Sequence, residues 1–464
     1  MSKPYIHIFQ GPLGWYLYDV NTDSVVEISE KIFEILKSLD SDDKSRNNEE
    51  ISALYKSGLL STQRVETSLH PETAYLESYY ARRLDYLSLH VTQSCNLNCR
   101  YCVYSNNYYT RSHSSQQMSF ETAKRAIDYV FDRSVDSKQF RVGYYGGEPL
   151  LRFDLIKQCV SYINQKMRGE QAKYIITTNG TLLSEEIATF LIENNFDITV
   201  SLDGPKEVHD VDRKFRETNA GSFDVVMNNL IWIQKTAPEY YRDNIMFNTV
   251  ITTANGFSAV NDFFNTNEQV KDNECSCGIV SDFYRNEKIE VGSTFKKEFG
   301  FEKFKLLYSK VHGETTPYSH YLDQNYGSNI IDRLKRKKQV NLCKSGHHGG
   351  PCIPGVKRLF VSVDGTMYPC EKVIENSEIT KLGDIYCGVN IERARRIMNV
   401  ERSQKTDCRS CWAYRYCSMC IVGYSDVCNK PDSYAINRCD QIRAKLEEDL
   451  IEYITLIKLG VDFY

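Results

Sequence analysis

Between residues 86 and 282 the sequence alternates short apolar runs with amphipathic stretches six times, and no other feature restricts the fold as strongly. Runs at 86–92, 140–145, 174–178, 197–202, 245–252 and 278–282 read as strands. Between them, 120–133, 154–167, 185–194, 223–235 and 260–264 place apolar residues at helical spacing. Six such units predict an α/β fold with a parallel sheet covered by helices, whose ligand sites gather at the carboxyl ends of the strands. Six units suit a partial, TIM-like (β/α)6 barrel better than a closed eight-unit one. Periodicity alone leaves an open doubly wound sheet as the alternative.

The flanks follow other patterns. Residues 6–9, 15–20 and 24–28 read as strands, and 30–39 and 47–60 as helices whose Ile32, Leu36, Leu39, Ile51, Leu54, Leu59 and Leu60 share one small core. This β-then-α module spans 1–68. A polar stretch with Pro71 marks a linker over 69–84. The alternating region, 85–310, is followed by a helical bridge over 311–340, with helices expected at 295–312 and 330–338, and then by a cysteine-rich tail, 341–464.

With 464 residues, 41% of them hydrophobic and 25% charged, the chain has room for several cores. A net charge of -4 with no long basic block gives no footprint for nucleic acid or an anionic membrane surface. No apolar run nears the roughly 18 residues of a membrane span, and the first residues lack a secretory pattern, so a cytoplasmic location is expected. Cysteine usage then becomes informative. Sixteen cysteines in a reducing compartment point to metal binding rather than disulfides, and eleven fall into two dense arrangements.

The first arrangement, Cys95-Asn-Leu-Asn-Cys99-Arg-Tyr-Cys102, directly follows the first strand of the alternating region. Three thiolates on one loop leave a cubane cluster one iron short of full protein ligation. The spacing resembles the signature of the radical S-adenosylmethionine superfamily, C-x3-C-x-aromatic-C with Tyr101 as the aromatic. That resemblance implies that Cys95, Cys99 and Cys102 hold a catalytic 4Fe–4S cluster. Its free iron would chelate S-adenosylmethionine, and reduction would release a 5′-deoxyadenosyl radical.

Later strand ends extend the likeness. Gly146-Gly147-Glu148-Pro149 matches the segment against the methionine amino group, with Glu148 the corresponding carboxylate. Thr178-Asn179-Gly180 and Ser201-Leu202-Asp203-Gly204-Pro205, followed by His209 and Arg213, match contacts to the ribose and carboxylate. Tyr144 joins Thr178, Ser201 and Arg213 among the implied cofactor contacts.

The tail contributes Cys343, Cys352, Gly365, Cys370, then Cys408-x2-Cys411-x5-Cys417-x2-Cys420 and a distant Cys439. This resembles the SPASM extension of peptide-modifying radical enzymes, apart from two rather than three residues between Cys417 and Cys420. By that resemblance Cys343, Cys352, Cys370 and Cys420 hold a first auxiliary 4Fe–4S cluster, and Cys408, Cys411, Cys417 and Cys439 a second. Cys428 stands in reserve for Cys420. Tetrahedral zinc is the competing reading of paired Cys-x2-Cys motifs. His347 and His348 read as exposed loop residues, while Cys159, Cys275, Cys277 and Cys387 read as packing residues. Glu371, next to Cys370, matches a proton-accepting acid of sulfatase-maturing relatives.

In element order, residues 1–68 resemble the winged-helix-like, PqqD-like recognition element that adds a leader peptide as an extra strand. Together the likenesses imply a radical maturase of a ribosomally made, cysteine-containing peptide, forming a thioether and reduced by a flavodoxin or ferredoxin. Formylglycine formation on sulfatases and carbon–carbon cross-linking are the alternatives within the class. A non-enzymatic iron–sulfur electron carrier or a metal-dependent binding protein is the alternative outside it.

Overall fold

The computed structural model describes residues 3–38, 48–105, 107–108, 111–167, 171–253, 256–280, 285, 289–314, 319–327, 341–348, 352–400, 408–424 and 433–462. The chain opens with an antiparallel meander, β1 (Ile6–Gly11), β2 (Gly14–Asp19) and β3 (Ser24–Ile28). Two helices follow, α1 (Glu30–Lys37) and α2 (Glu49–Lys56). Each starts where a side chain satisfies an orphan amide: the Ser29 hydroxyl accepts from Ile32 and Asn48 from Glu50 and Ile51. Leu17 and Ile28 pack on Ile32, Leu36, Ile51, Leu59 and Leu60, with Leu54 partly buried against them; Leu39 of the expected small core lies outside the described residues.

The opposite face of this meander is buried too. Strand alternation turns Phe9, Tyr16 and Tyr18 away from the helices and onto Ala413, Tyr414, Tyr416, Leu446 and Leu450 of the tail. The last two come from the C-terminal helix Ser433–Lys458, which the sequence reading did not single out.

Residues 69–84 are not a loose linker. Pro71–Tyr75 forms a 3-10 turn and Leu76–Arg82 a helix, α3, with Leu76, Tyr80 and Leu84 buried in the main core. The Tyr80 hydroxyl donates to the carbonyl of Pro354. Just before this segment, β4 (Thr67–Ser68) pairs with β11 (Ser345–Gly346) of the tail. Most polar residues of the segment face solvent, while Thr73, Leu76, Tyr80 and Leu84, three or four residues apart, pack inward.

Six parallel strands form the main sheet: β5 (Tyr86–Thr92), β6 (Arg141–Gly146), β7 (Lys173–Thr178), β8 (Asp197–Ser201), β9 (Ile245–Ile251) and β10 (Cys275–Ile279). Their order in space equals their order in the chain, without the reversal that defines a doubly wound sheet. This singly wound order favours the barrel-type alternative. Beyond β5 the sheet continues through β12 (Leu359–Val361), parallel to it, and the antiparallel β13 (Thr366–Tyr368), β14 (Gly383–Asp384) and β15 (Gly388–Val389). Part of the tail is thus an extension of the main sheet, and β13, running antiparallel to β12 and β5, carries the chain to Cys370 on the side of the start of β5. The first bridge helix is Ser293–Val311, whereas the one expected at 330–338 lies outside the described residues. Among the described residues no helix is long and apolar enough to cross a membrane.

Candidate active site

The cysteine loop leaves β5 and is pinned on its far side by residues 212–216. Asn98 donates its amide to the carbonyl of Lys214 at 2.8 Å, Arg216 returns one to Asn96 at 2.9 Å, and Arg100 pairs with Asp212 at 2.9 Å. Cys99 is buried, Cys95 and Cys102 are half-buried, and the three thiols lie within electrostatic reach of one another. Burial pushes Cys95 and Cys99 up to about 12, so a positive centre is needed to hold them as thiolates. The Asn179 side-chain amide stands 3.8 Å from the Cys95 sulfur, a donor suited to a ligating thiolate. Three neighbouring thiols on one restrained loop suit a cluster that leaves one iron open.

Gly146 and Gly147 make this packing feasible. A Cβ on Gly146 would sit 2.3 Å from the carbonyl oxygen of Thr92, and one on Gly147 2.3 Å from that of Ser94. Instead the amides of Gly147 and Glu148 donate to Thr92 and Ser94, both at 2.9 Å. The glycines therefore serve the close approach of two strand ends, and through it the placement of the cysteine loop.

Glu148 is fully buried. Its carboxylate accepts from the Thr178 hydroxyl and the Asn179 amide, each at 2.7 Å, and from Leu150 at 3.0 Å, tying the end of β6 to that of β7. Burial dominates and raises it to about 7. Pro149 opens the 3-10 turn that follows. Asn179 also bonds Asn96, at 2.8 Å, which links β7 to the cysteine loop.

Asp203 and Arg213 form a buried bidentate pair, 2.7 and 3.1 Å, and the Tyr101 hydroxyl donates to the same carboxylate. Val250 adds an amide at 3.0 Å. Tyr101, whose ring lies 5.4 Å from the Arg213 guanidinium, is thus fixed from behind by the strand-end pair. His209 is buried against Ser222 at 2.9 Å, and burial takes it down to about 3, so it stays neutral. Ser201 ends β8 opposite Asn248, half-buried.

Tyr144 corrects an expectation. It stacks on Phe196 at 5.9 Å in the helix-side core, because side chains alternate along β6 and Tyr145 takes the other face. Tyr145 belongs to a group that the sequence reading missed. Arg111 pairs with Glu375 at 3.1 Å, and Tyr104 hydrogen-bonds to Glu375 at 3.4 Å and to His90 at 3.3 Å. Tyr145 lies within electrostatic reach of Arg111, Glu375, Glu371 and Cys102. The one available signal was the polar set Ser88, His90 and Thr92 at alternate positions of an otherwise apolar strand.

In the tail, Cys352, Cys370 and Cys420 lie within electrostatic reach of one another. The shortened spacing before Cys420 does not remove it from that trio. Cys343 is instead on the surface, 3.9 Å from the carbonyl of Asn341, and Cys428 lies outside the described residues. Cys408, Cys411, Cys417 and Cys439 line one cavity of about 500 Å³ together with His348, Met419, Tyr424 and Arg443. His348 is buried, 4% exposed, with Tyr424 at 3.3 Å, which corrects its reading as an exposed residue. Among the described residues no three His, Cys, Asp or Glu side chains converge on a single metal ion. Glu371 pairs with Arg358 at 2.5 Å through one oxygen, while the other is buried without a hydrogen-bond partner. Cys159 and Cys275 pack in the core as expected, whereas Cys387 is exposed.

Residues 89–249 match the model of the Radical SAM superfamily, so this segment, cysteine loop included, has S-adenosylmethionine-binding and iron–sulfur character. Among curated proteins, an uncharacterized protein of Methanocaldococcus jannaschii is 35% identical over 37% of this chain and 54% of its own length. A cysteine-type anaerobic sulfatase-maturating enzyme of Clostridium novyi is 32% identical over 32% of this chain and 40% of its own length. The chain thus spans about half or less of those relatives. A solved structure of native anSMEcpe with bound AdoMet and Cp18Cys peptide shares the fold, at a TM-score of 0.57 and 19% identity over 80% of this chain and 99% of that one.

Proposed function

We propose that this chain is a radical S-adenosylmethionine enzyme that matures a ribosomally made, cysteine-containing peptide by forming a thioether. Cys95, Cys99 and Cys102 would hold the catalytic cluster, with Asn179 steadying Cys95 and the Asp203–Arg213 pair fixing Tyr101 beneath the loop. When bound, cluster and S-adenosylmethionine supply a 5′-deoxyadenosyl radical that removes a hydrogen atom from a peptide carbon. Bonding that carbon to a cysteine sulfur as thiolate leaves one surplus electron, which needs an acceptor close by.

One observation carries this reading. Cys370, of the Cys352, Cys370 and Cys420 trio, directly follows β13 in the strands that extend the sheet beyond β5, and Tyr145 is within electrostatic reach of both Cys102 and Glu371. Such placement suits an electron acceptor next to the radical site. With Cys343 at the surface, a cluster on the other three leaves a position for the peptide's own thiolate. The unpartnered Glu371 oxygen offers an acceptor for the proton of that thiol. Residues 1–68 would hold the leader, and a flavodoxin or ferredoxin would supply the initiating electron.

Likeness to a sulfatase-maturating enzyme favours a second reading, oxidation of a substrate cysteine to formylglycine. The product separates the two. Under reducing, anaerobic conditions a thioether removes two hydrogens and leaves one cysteine resistant to alkylation even after strong reduction. An aldehyde product loses sulfur and reacts with hydrazide, and its appearance on the precursor peptide would replace the thioether reading.

A further inference from the structure

The meander β1–β3 closes the second four-thiol cavity, although some 400 residues of sequence separate them. The Tyr5 hydroxyl donates to the carbonyl of Cys411 at 2.8 Å. His7 stacks on Trp412 with ring centres 3.7 Å apart and planes 5° from parallel, and also binds Glu447 of the C-terminal helix at 2.8 Å. Ile6 lines the cavity beside Cys408, Cys411, Cys417 and Cys439. From the other side, Arg415 donates to the carbonyls of Val20, at 2.6 Å, and Asn21, at 2.9 Å, and Tyr416 donates to Asp23 at 2.9 Å.

Apart from the His7–Glu447 bond, these hydrogen bonds and the ring stack fall on residues 411–416, the run that joins two of the four thiols. Locally that run has only the short 3-10 turns Cys408–Ser410 and Tyr414–Tyr416, too little regular structure to preset ligand positions. Its restraint comes from β1, the residue before it and the turn between β2 and β3. Groups outside the ligand set that hold ligands in place matter to metal affinity nearly as much as the ligands themselves.

We infer that Tyr5 and His7 are positioning residues for a cluster held by Cys408, Cys411, Cys417 and Cys439, so that the N-terminal module is a wall of that site. This rests on the reading of those four thiols as cluster ligands. By linkage, whatever stabilises the seat of the module stabilises the cluster to the same degree, and the cluster in turn stabilises the seat.

The test uses the full chain, reconstituted anaerobically, with iron per chain and the rate of iron release to a chelator as readouts. Wild type should hold about twelve irons, and Cys408→Ala about eight. In His7→Ala, about a third of the iron should leave roughly tenfold faster. His7→Phe, which keeps a stacking ring, should restore the slow rate. Tyr5→Phe removes one hydroxyl and keeps the ring, so it gives the same readout, faster loss from one cluster, if His7→Ala does not fold. Wild-type release rates in both His7→Ala and Tyr5→Phe would overturn the wall while leaving the cluster assignment intact. Equal iron in wild type and Cys408→Ala would instead remove the cluster assignment, and this inference with it.

Discussion

Arg111 and Glu375 lie side by side with side chains 6% and 12% exposed, between the cysteine loop and the tail. Burial by itself would raise Glu375, but His90 and Arg111 beside it outweigh burial and hold the carboxyl below its usual 4.5. A depressed carboxylate adds stability that is present above its unfolded value and fades as the pH falls through the folded one. Glu375→Gln would leave the guanidinium buried opposite a neutral amide, a loss of about 3 kcal/mol. Anaerobic thermal unfolding should show that deficit unchanged from pH 8 to pH 5 and shrinking below about pH 4.5. A deficit that grows on acidification would mean that the pair is not ionised in the folded chain. None of this was legible in the sequence, since Arg111 and Glu375 are far apart and each looks like a surface charge. Cys95, Cys99 and Cys102 were legible because a three-thiol loop depends on spacing alone.

Strand ends carry most of the site, and their precision depends on which backbones touch. Gly147 illustrates the point, because its missing side chain lets the end of β6 hydrogen-bond to the residues that enter the cysteine loop. Gly147→Ala would push a methyl group into the Ser94 carbonyl and displace Cys95. Cofactor cleavage, measured as 5′-deoxyadenosine formed per reduced enzyme, should fall about a hundredfold, since a shift of about 1 Å at a reacting centre has that effect. Tail iron should stay in place. Loss of all clusters together would show that the glycine supports the whole fold rather than the loop. The six strands were readable as apolar runs, and their spatial order was not, because periodicity fixes which segments form strands but not which edges pair. Tyr144 and Tyr145 show the same limit: they are neighbours in sequence with side chains on opposite faces of the sheet, and only pairing decided which one lies beside Arg111 and Glu375.

For the molecule as a whole, the modules are less separable than their sequence patterns suggested. Removing residues 1–68 would expose Tyr414, Tyr416, Leu446 and Leu450, a patch that monomers seldom display. The restraints on the cysteine loop come from residues 146–148 and 178–216, so the shortened chain should still cleave S-adenosylmethionine without substrate, while peptide modification is sharply reduced. Light scattering should show it self-associating. A monomeric truncation that modifies full-length precursor normally would remove both the leader-docking role and the structural one. What the sequence by itself determined was local: strand and helix periods, the cysteine spacings, and the glycines after β6, each set by geometry within a few residues. Tertiary structure decided the rest, including the continuation of the main sheet into the tail, the burial of His348, the helix within the supposed linker and the N-terminal wall of the second cavity. Those features depend on contacts between residues hundreds of positions apart, where side-chain complementarity and the burial of a second apolar face choose the partner, and no spacing rule along the chain encodes that choice.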